Sequence, residues 1–142
     1  MTQKSGSAVW TGGLKDGQGT VSTETGVLRE APYGFKSRFE DGPGTNPEEL
    51  LAAAHAGCFS MALALGLGQA ELTADRIETR AVVTLDKQGD GFAITTVHLT
   101  CSATVPGADI ATFERIAQEA KQGCPVSKVL KATITLEATL ES

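Results

Sequence analysis

Thr45-Asn46-Pro47-Glu48-Glu49-Leu50-Leu51-Ala52-Ala53-Ala54-His55-Ala56-Gly57-Cys58-Phe59-Ser60-Met61-Ala62-Leu63-Ala64-Leu65 reads as one long helix with a well-marked beginning. Asn46 has N-cap chemistry. Pro47 suits the first helical position, where an N–H would be unpaired anyway, and Glu48 and Glu49 lie at the positive end of the helix dipole. Beyond its first turn the segment is apolar on nearly every side, which predicts a helix buried all round. Gly66 and Gly68 weaken its end.

The segments before this helix read as strands and turns. Ala8-Val9-Trp10 precedes Gly12-Gly13, and Gly17 and Gly19 precede the β-branched, polar Thr20-Val21-Ser22-Thr23. Tyr33 to Phe39 alternates, with Tyr33, Phe35, Ser37 and Phe39 on one face and Lys36 and Arg38 on the other, which predicts a third strand. After the helix, Asp75 to Asp86 alternates with Ile77, Ala81, Val83 and Leu85 inward. A turn over Lys87 to Gly91 leads to a long strand, Phe92 to Val105. Asp109 opens an amphipathic helix whose stripe is Phe113, Ile116, Ala117 and Ala120, and Gly123 stops it. Pro125 starts a short helix ending near Lys131, and Ile134, Leu136, Ala138 and Leu140 line a last strand. Strands grouped before and between helices predict an α+β fold, read as one domain over 1–142.

Composition narrows the function. With 142 residues and 41% hydrophobic residues the chain can bury a core. Its net charge of -5 and the absence of any Lys/Arg cluster argue against a nucleic-acid partner. No apolar run follows Met1 of the kind that marks a secretory signal. Glu48, Glu49 and His55 in the long helix, with glycines at its end, argue against a membrane span. The reading is a cytoplasmic protein, where thiols stay reduced and a cysteine pair is more often catalytic than structural.

Three cysteines are present, none in a CxxC or zinc-type spacing. Cys58 lies mid-helix, where alone it reads as a small packed hydrophobe. Cys124, between Gly123 and Pro125, falls at the N-cap of the short helix, where partial positive charge favours a thiolate; corner packing is an equal reading. Cys101 shares a strand face with Val97, Leu99 and Val105 and reads as core. A reactive thiolate needs a cation and an orienting group, and Arg38 and Glu48 are candidates. His55 shares a helix face with Cys58, but an i,i+3 pair points both side chains one way, which favours a packed or solvent-bridged His55 over a base.

Gly44-Thr45-Asn46-Pro47-Glu48-Glu49-Leu50, followed by Ala53-Ala54-His55-Ala56-Gly57-Cys58-Phe59-Ser60-Met61, resembles the first active-site motif of the OsmC/Ohr family of osmotically inducible and organic hydroperoxide resistance proteins. Gly123-Cys124-Pro125-Val126-Ser127-Lys128-Val129-Leu130 resembles its second motif. Likeness extends over essentially the whole chain, and Tyr33-Gly34-Phe35 with Arg38 resembles the osmotically inducible branch. The resemblance implies an OsmC-like fold, with an antiparallel or mixed sheet on a long buried central helix, in an intertwined homodimer. It further implies a cofactor-free, thiol-dependent peroxidase for organic hydroperoxides. In that scheme Cys58 is peroxidatic, Cys124 resolves it through a disulfide, Arg38 activates the thiolate and Glu48 orients the arginine. An external dithiol, of lipoyl type in the family, regenerates the thiols.

One inference is geometric. Glu48 and Cys58 are ten residues apart on one helix, about 15 Å along a straight axis. Glu48 therefore cannot orient chemistry at its own Cys58, whereas a second chain could bring its Glu48 there, which predicts a homodimer with composite sites. Phe39, Phe59 and Met61 are candidate walls of an apolar substrate pocket. Two other readings predict different chemistry: a cysteine hydrolase using Cys58 and His55, and a non-enzymatic stress-response binding protein with all three cysteines in its core. No metal or organic cofactor is implied.

Overall fold

The computed structural model describes residues 1–141 and divides into two compact units, Met1–Leu50 and the chain from Leu51 onward. In the first, β1 (Gly6–Thr11), β2 (Gln18–Thr23) and β3 (Ala31–Tyr33) form an antiparallel sheet in that order. Gly19 pairs with Trp10 on one side and Tyr33 on the other. A Cβ there would meet both rings at 2.5 Å. Only glycine lets Trp10 and Tyr33 approach across the central strand, with centroids 5.6 Å apart.

The third strand stops at Tyr33, not at Phe39. Residues Phe35–Phe39 form a single helical turn, α1. Phe35 and Phe39 share a face at a spacing of four as well as of two, so the alternation was ambiguous, and their rings meet at 5.1 Å. Buried Ser37 closes the turn: Gly34 N–H donates to its hydroxyl at 2.9 Å, and the hydroxyl donates to Gly34 C=O at 3.1 Å. Asn46 Nδ2 donates to Ser37 C=O at 2.8 Å, while its Oδ1 accepts from Glu49 N–H at 2.7 Å, the expected cap of α2 (Pro47–Gln69).

From Leu51 onward, β4 (Arg76–Gln88) and β5 (Gly91–Thr104) form a long antiparallel hairpin, and β6 (Thr133–Leu140) pairs with β5 in parallel. This mixed sheet has β5 at its centre. A parallel neighbour requires a crossover, supplied by α3 (Ile110–Gly123) and α4 (Pro125–Val129). Asp109 caps α3 by accepting from Thr112 N–H at 2.8 Å. The core joins the inward face of β5 (Val97, Leu99, Cys101, Ala103) to the stripe of α3 (Phe113, Ile116, Ala117, Ala120) and to Phe59, Leu63 and Leu67 of α2.

Two expectations for α2 need correction. It runs through Gly66 and Gly68 to Gln69 because Gly66 is a packing residue: a Cβ there would lie 2.7 Å from Ile116 Cγ2. Nor is the helix buried all round in the single chain. Its sealed positions are His55, Phe59, Leu63 and Leu67, an i,i+4 row, because sheet and α3 cover one side only. The opposite face, with Ala53, Ala54, Gly57, Met61, Ala64 and Leu65, is exposed.

Gly66→Ala is expected to destabilise the protein. Helix propensity gains about 1 kcal/mol, but overpacking against buried Ile116 costs about 1–3 kcal/mol. The urea midpoint followed by circular dichroism should fall; a raised midpoint would show that the α2–α3 contact yields.

Candidate active site

Cys58 and Cys124 meet. The middle of α2 brings the half-buried Cys58 against the core that contains the fully buried Cys124, and both are free thiols. Cys124 is the C-cap of α3 and the N-cap of α4, because Pro125 can start a helix and cannot continue one. The two side chains are hydrogen-bonded to each other. Burial raises the Cys58 thiol, and donating to Cys124 raises it further, against a smaller opposing effect of the Val126 amide. Burial acts upward on Cys124 too. There it is outweighed by hydrogen bonding from Cys58, from the Ser127 amide and hydroxyl, and from the Val126 amide, so the Cys124 thiol is lowered. The two thiols therefore titrate as a pair, with burial and donation acting upward on Cys58 and the surrounding hydrogen bonds acting downward on Cys124.

Around this pair the sequence reading missed Ser127. It is the N3 residue of α4, three after the N-cap Cys124, the spacing at which a side chain turns back to the cap; that box-like spacing was the available signal. Ser127 Oγ lies 2.7 Å from His55 Nε2. His55 has no accessible surface, and burial lowers its pKa, so the ring is neutral. It is packed, as expected, and its bonded nitrogen faces Ser127, which leaves the hydrolase reading without the Cys58–His55 pair it needs. Cys101 is core, tied to Thr79 and 1% exposed.

In the first unit, Arg38 and Glu48 form a two-pronged pair: Nε donates to one carboxylate oxygen and Nη2 to the other, both at 3.1 Å. Arg38 is on α1 and not on a strand, and its guanidinium lies over the Phe39 ring at 5.3 Å from the centroid. The fork leaves Nη1 outside the carboxylate contact and fixes the guanidinium plane. Phe39 and Arg38 line a cavity of about 200 Å³ with Trp10, Leu14, Tyr33 and Phe35. Of the other expected pocket residues, Met61 is exposed. Phe59 is sealed in the core, since position 59 falls on the buried row of α2, and it cannot form a wall open to substrate.

A mixed-sheet α+β chain presenting two hydrogen-bonded reduced cysteines, and separately an arginine clamped by a carboxylate, is a dithiol redox protein in its chemistry. Residues 40–139 match the family described as OsmC-like protein. The chain is 59% identical over 139 residues to peroxiredoxin OsmC of Escherichia coli (strain K12), covering 98% of this chain and 97% of that one. It is 33% identical over 105 residues to an organic hydroperoxide resistance protein of Xanthomonas axonopodis pv. citri, covering 70% and 68%. The crystal structure of the organic hydroperoxide resistance protein OhrB of Bacillus subtilis has a TM-score of 0.69 at 26% identity, covering 94% of this chain and 97% of that one. This chain belongs to the OsmC family.

Proposed function

We propose that this protein is a thiol-dependent peroxidase that reduces organic hydroperoxides to alcohols. The observation that carries the reading is the hydrogen bond between Cys58 and Cys124, which holds a dithiol ready to become a disulfide. The names of the relatives, a peroxiredoxin and organic hydroperoxide resistance proteins, point the same way.

In the proposed cycle the Cys58 thiolate attacks one peroxide oxygen, and the O–O bond breaks. The other oxygen departs as alkoxide and takes a proton. Cys58 becomes a sulfenic acid and condenses with Cys124, releasing water. The disulfide shields Cys58 from over-oxidation until an external dithiol of lipoyl type reduces it. Since burial acts against the Cys58 thiolate, a cation beside it is what would favour that anion. Arg38, oriented by Glu48, is the proposed cation, and it also faces charge developing on the leaving oxygen. The helical rise between positions 48 and 58 argues for a guanidinium from a second chain. The exposed face of small residues on α2, with Met61 at 77% and Leu65 at 65% exposure, supports a homodimer that covers it. Met61, and Phe39 with the cavity beside Arg38, are the proposed contacts for the organic group. The apolar α2 packs Phe59, Leu63 and Leu67 into a core, which favours a soluble protein.

One equivalent of cumene hydroperoxide should produce a Cys58–Cys124 disulfide, mapped by mass spectrometry of the unreduced digest. Alkyl hydroperoxides should be consumed faster than hydrogen peroxide. A product confined to Cys101, or no disulfide at all, would defeat the proposal.

A further inference from the structure

His55 is the buried titratable group that the proposed cycle leaves unused, and it sits one hydrogen bond from that cycle. Ser127 Oγ is 2.7 Å from its Nε2. Ser127 is also the N3 residue of the helix that Cys124 caps, so its hydroxyl faces the Cys124 sulfur within one turn. A serine hydroxyl has one proton and two lone pairs. If that proton pointed at His55, none would remain for the sulfur. The other ring nitrogen, Nδ1, is buried without a hydrogen-bond partner among the described residues. With the hydrogen on Nε2 the ring leaves no buried N–H unpaired, so that tautomer fits the site.

We infer that His55 and Ser127 are positioning residues for the resolving step: His55 Nε2–H donates to Ser127 Oγ, which fixes the Ser127 proton on the sulfur of Cys124. The inference rests on the peroxidase reading and goes beyond it by assigning the resolving sulfur its own support, separate from the Arg38–Glu48 pair. Once Cys58 is a sulfenic acid, the Cys124 thiolate supplies the electron pair of the new S–S bond. The S–O bond of Cys58 breaks, hydroxide leaves, and it takes a proton from solvent to become water. A charge already stabilised at Cys124 makes this step fast relative to further oxidation of Cys58. The lowered Cys124 thiol agrees with such an arrangement.

Other titratable groups on the packed elements do not share the task. Cys58 of α2 donates to Cys124, and Cys101 of β5 is tied to Thr79. The hydrogen bonds that lower the Cys124 thiol come from Cys58, Ser127 and Val126, and not from Lys121 of α3 or Lys128 of α4.

The test is single-turnover disulfide formation against pH, with one equivalent of cumene hydroperoxide and the full chain. Ser127→Ala and His55→Leu should move the midpoint of the resolving step up by about one pH unit, about tenfold slower below it, with Cys58 sulfenic acid accumulating. His55→Gln, which keeps an N–H donor near the Nε2 position, should restore the wild-type profile. Should His55→Leu fail to fold, Ser127→Ala carries the comparison alone. An unchanged midpoint in Ser127→Ala overturns the inference and leaves the peroxidase reading standing, as does a His55→Gln profile that matches a shifted His55→Leu. Absence of the disulfide from the wild-type protein overturns both.

Discussion

Cys58→Ser is expected to abolish hydroperoxide turnover, with a loss on the order of 10³-fold or more, while the far-ultraviolet circular dichroism stays that of the wild type. The physical ground is the attacking electron pair: an anionic sulfur is a strong nucleophile toward peroxide oxygen, and a serine hydroxyl is not ionised at neutral pH. Position 58 is half-buried and not in the sealed row of α2, so losing the sulfur should disturb packing little. Cys124→Ser should behave differently. It should consume one equivalent of cumene hydroperoxide and stop, with a sulfenic acid at Cys58 that a dimedone adduct reports. Steady turnover by the Cys58 variant would remove that residue from the chemistry, whatever the other thiols do.

The second large effect is a rescue. Arg38→Met should be nearly inactive, since the proposed cation is gone while most of the side-chain volume remains. Arg38→Met and Cys58→Ser chains, each inactive alone, should regain about a quarter of wild-type activity when unfolded together in equal amounts and refolded, because half of the dimers are then mixed and each holds one intact site of two. In a mixed dimer the intact Cys58 of one chain faces the intact Arg38 of the other. If the arginine served its own chain, no combination of these two variants would contain a complete site. No regain of activity, with mixed dimers verified by mass, would therefore end the two-chain proposal and leave the single-chain chemistry to be re-examined.

Much of this site could be read from the order of residues. Asn46-Pro47 announced the start of α2, because a cap side chain and a fixed φ act locally, and the structure has Asn46 Oδ1 on the Glu49 amide. Gly123 and Pro125 placed Cys124 at a helix junction for the same reason. Other features depend on contacts that no local pattern encodes. Phe35 and Phe39 fit two periodicities at once, and the hydroxyl of Ser37 decided between them. Gly66 reads locally as a weak point at the end of α2, and only the approach of Ile116 of α3 gives it a packing role. His55 and Ser127, far apart in the chain, acquire a relation only when α4 is set against α2. Their residue types alone carried no sign of it.

The parallel pairing of β6 with β5 has a consequence for the order of biosynthesis. Cys124 lies on the crossover between those two strands, and β6 follows it in the sequence. Until β6 has been synthesised and has zipped onto the central strand, the sheet does not hold the far end of the crossover. A nascent chain would therefore carry its first thiol without the guard that limits its damage. Redox competence should arrive only once β6 has paired, and a stop codon between residues 124 and 133 should leave a polypeptide that holds both Cys58 and Cys124 yet oxidises at Cys58 without closing the disulfide.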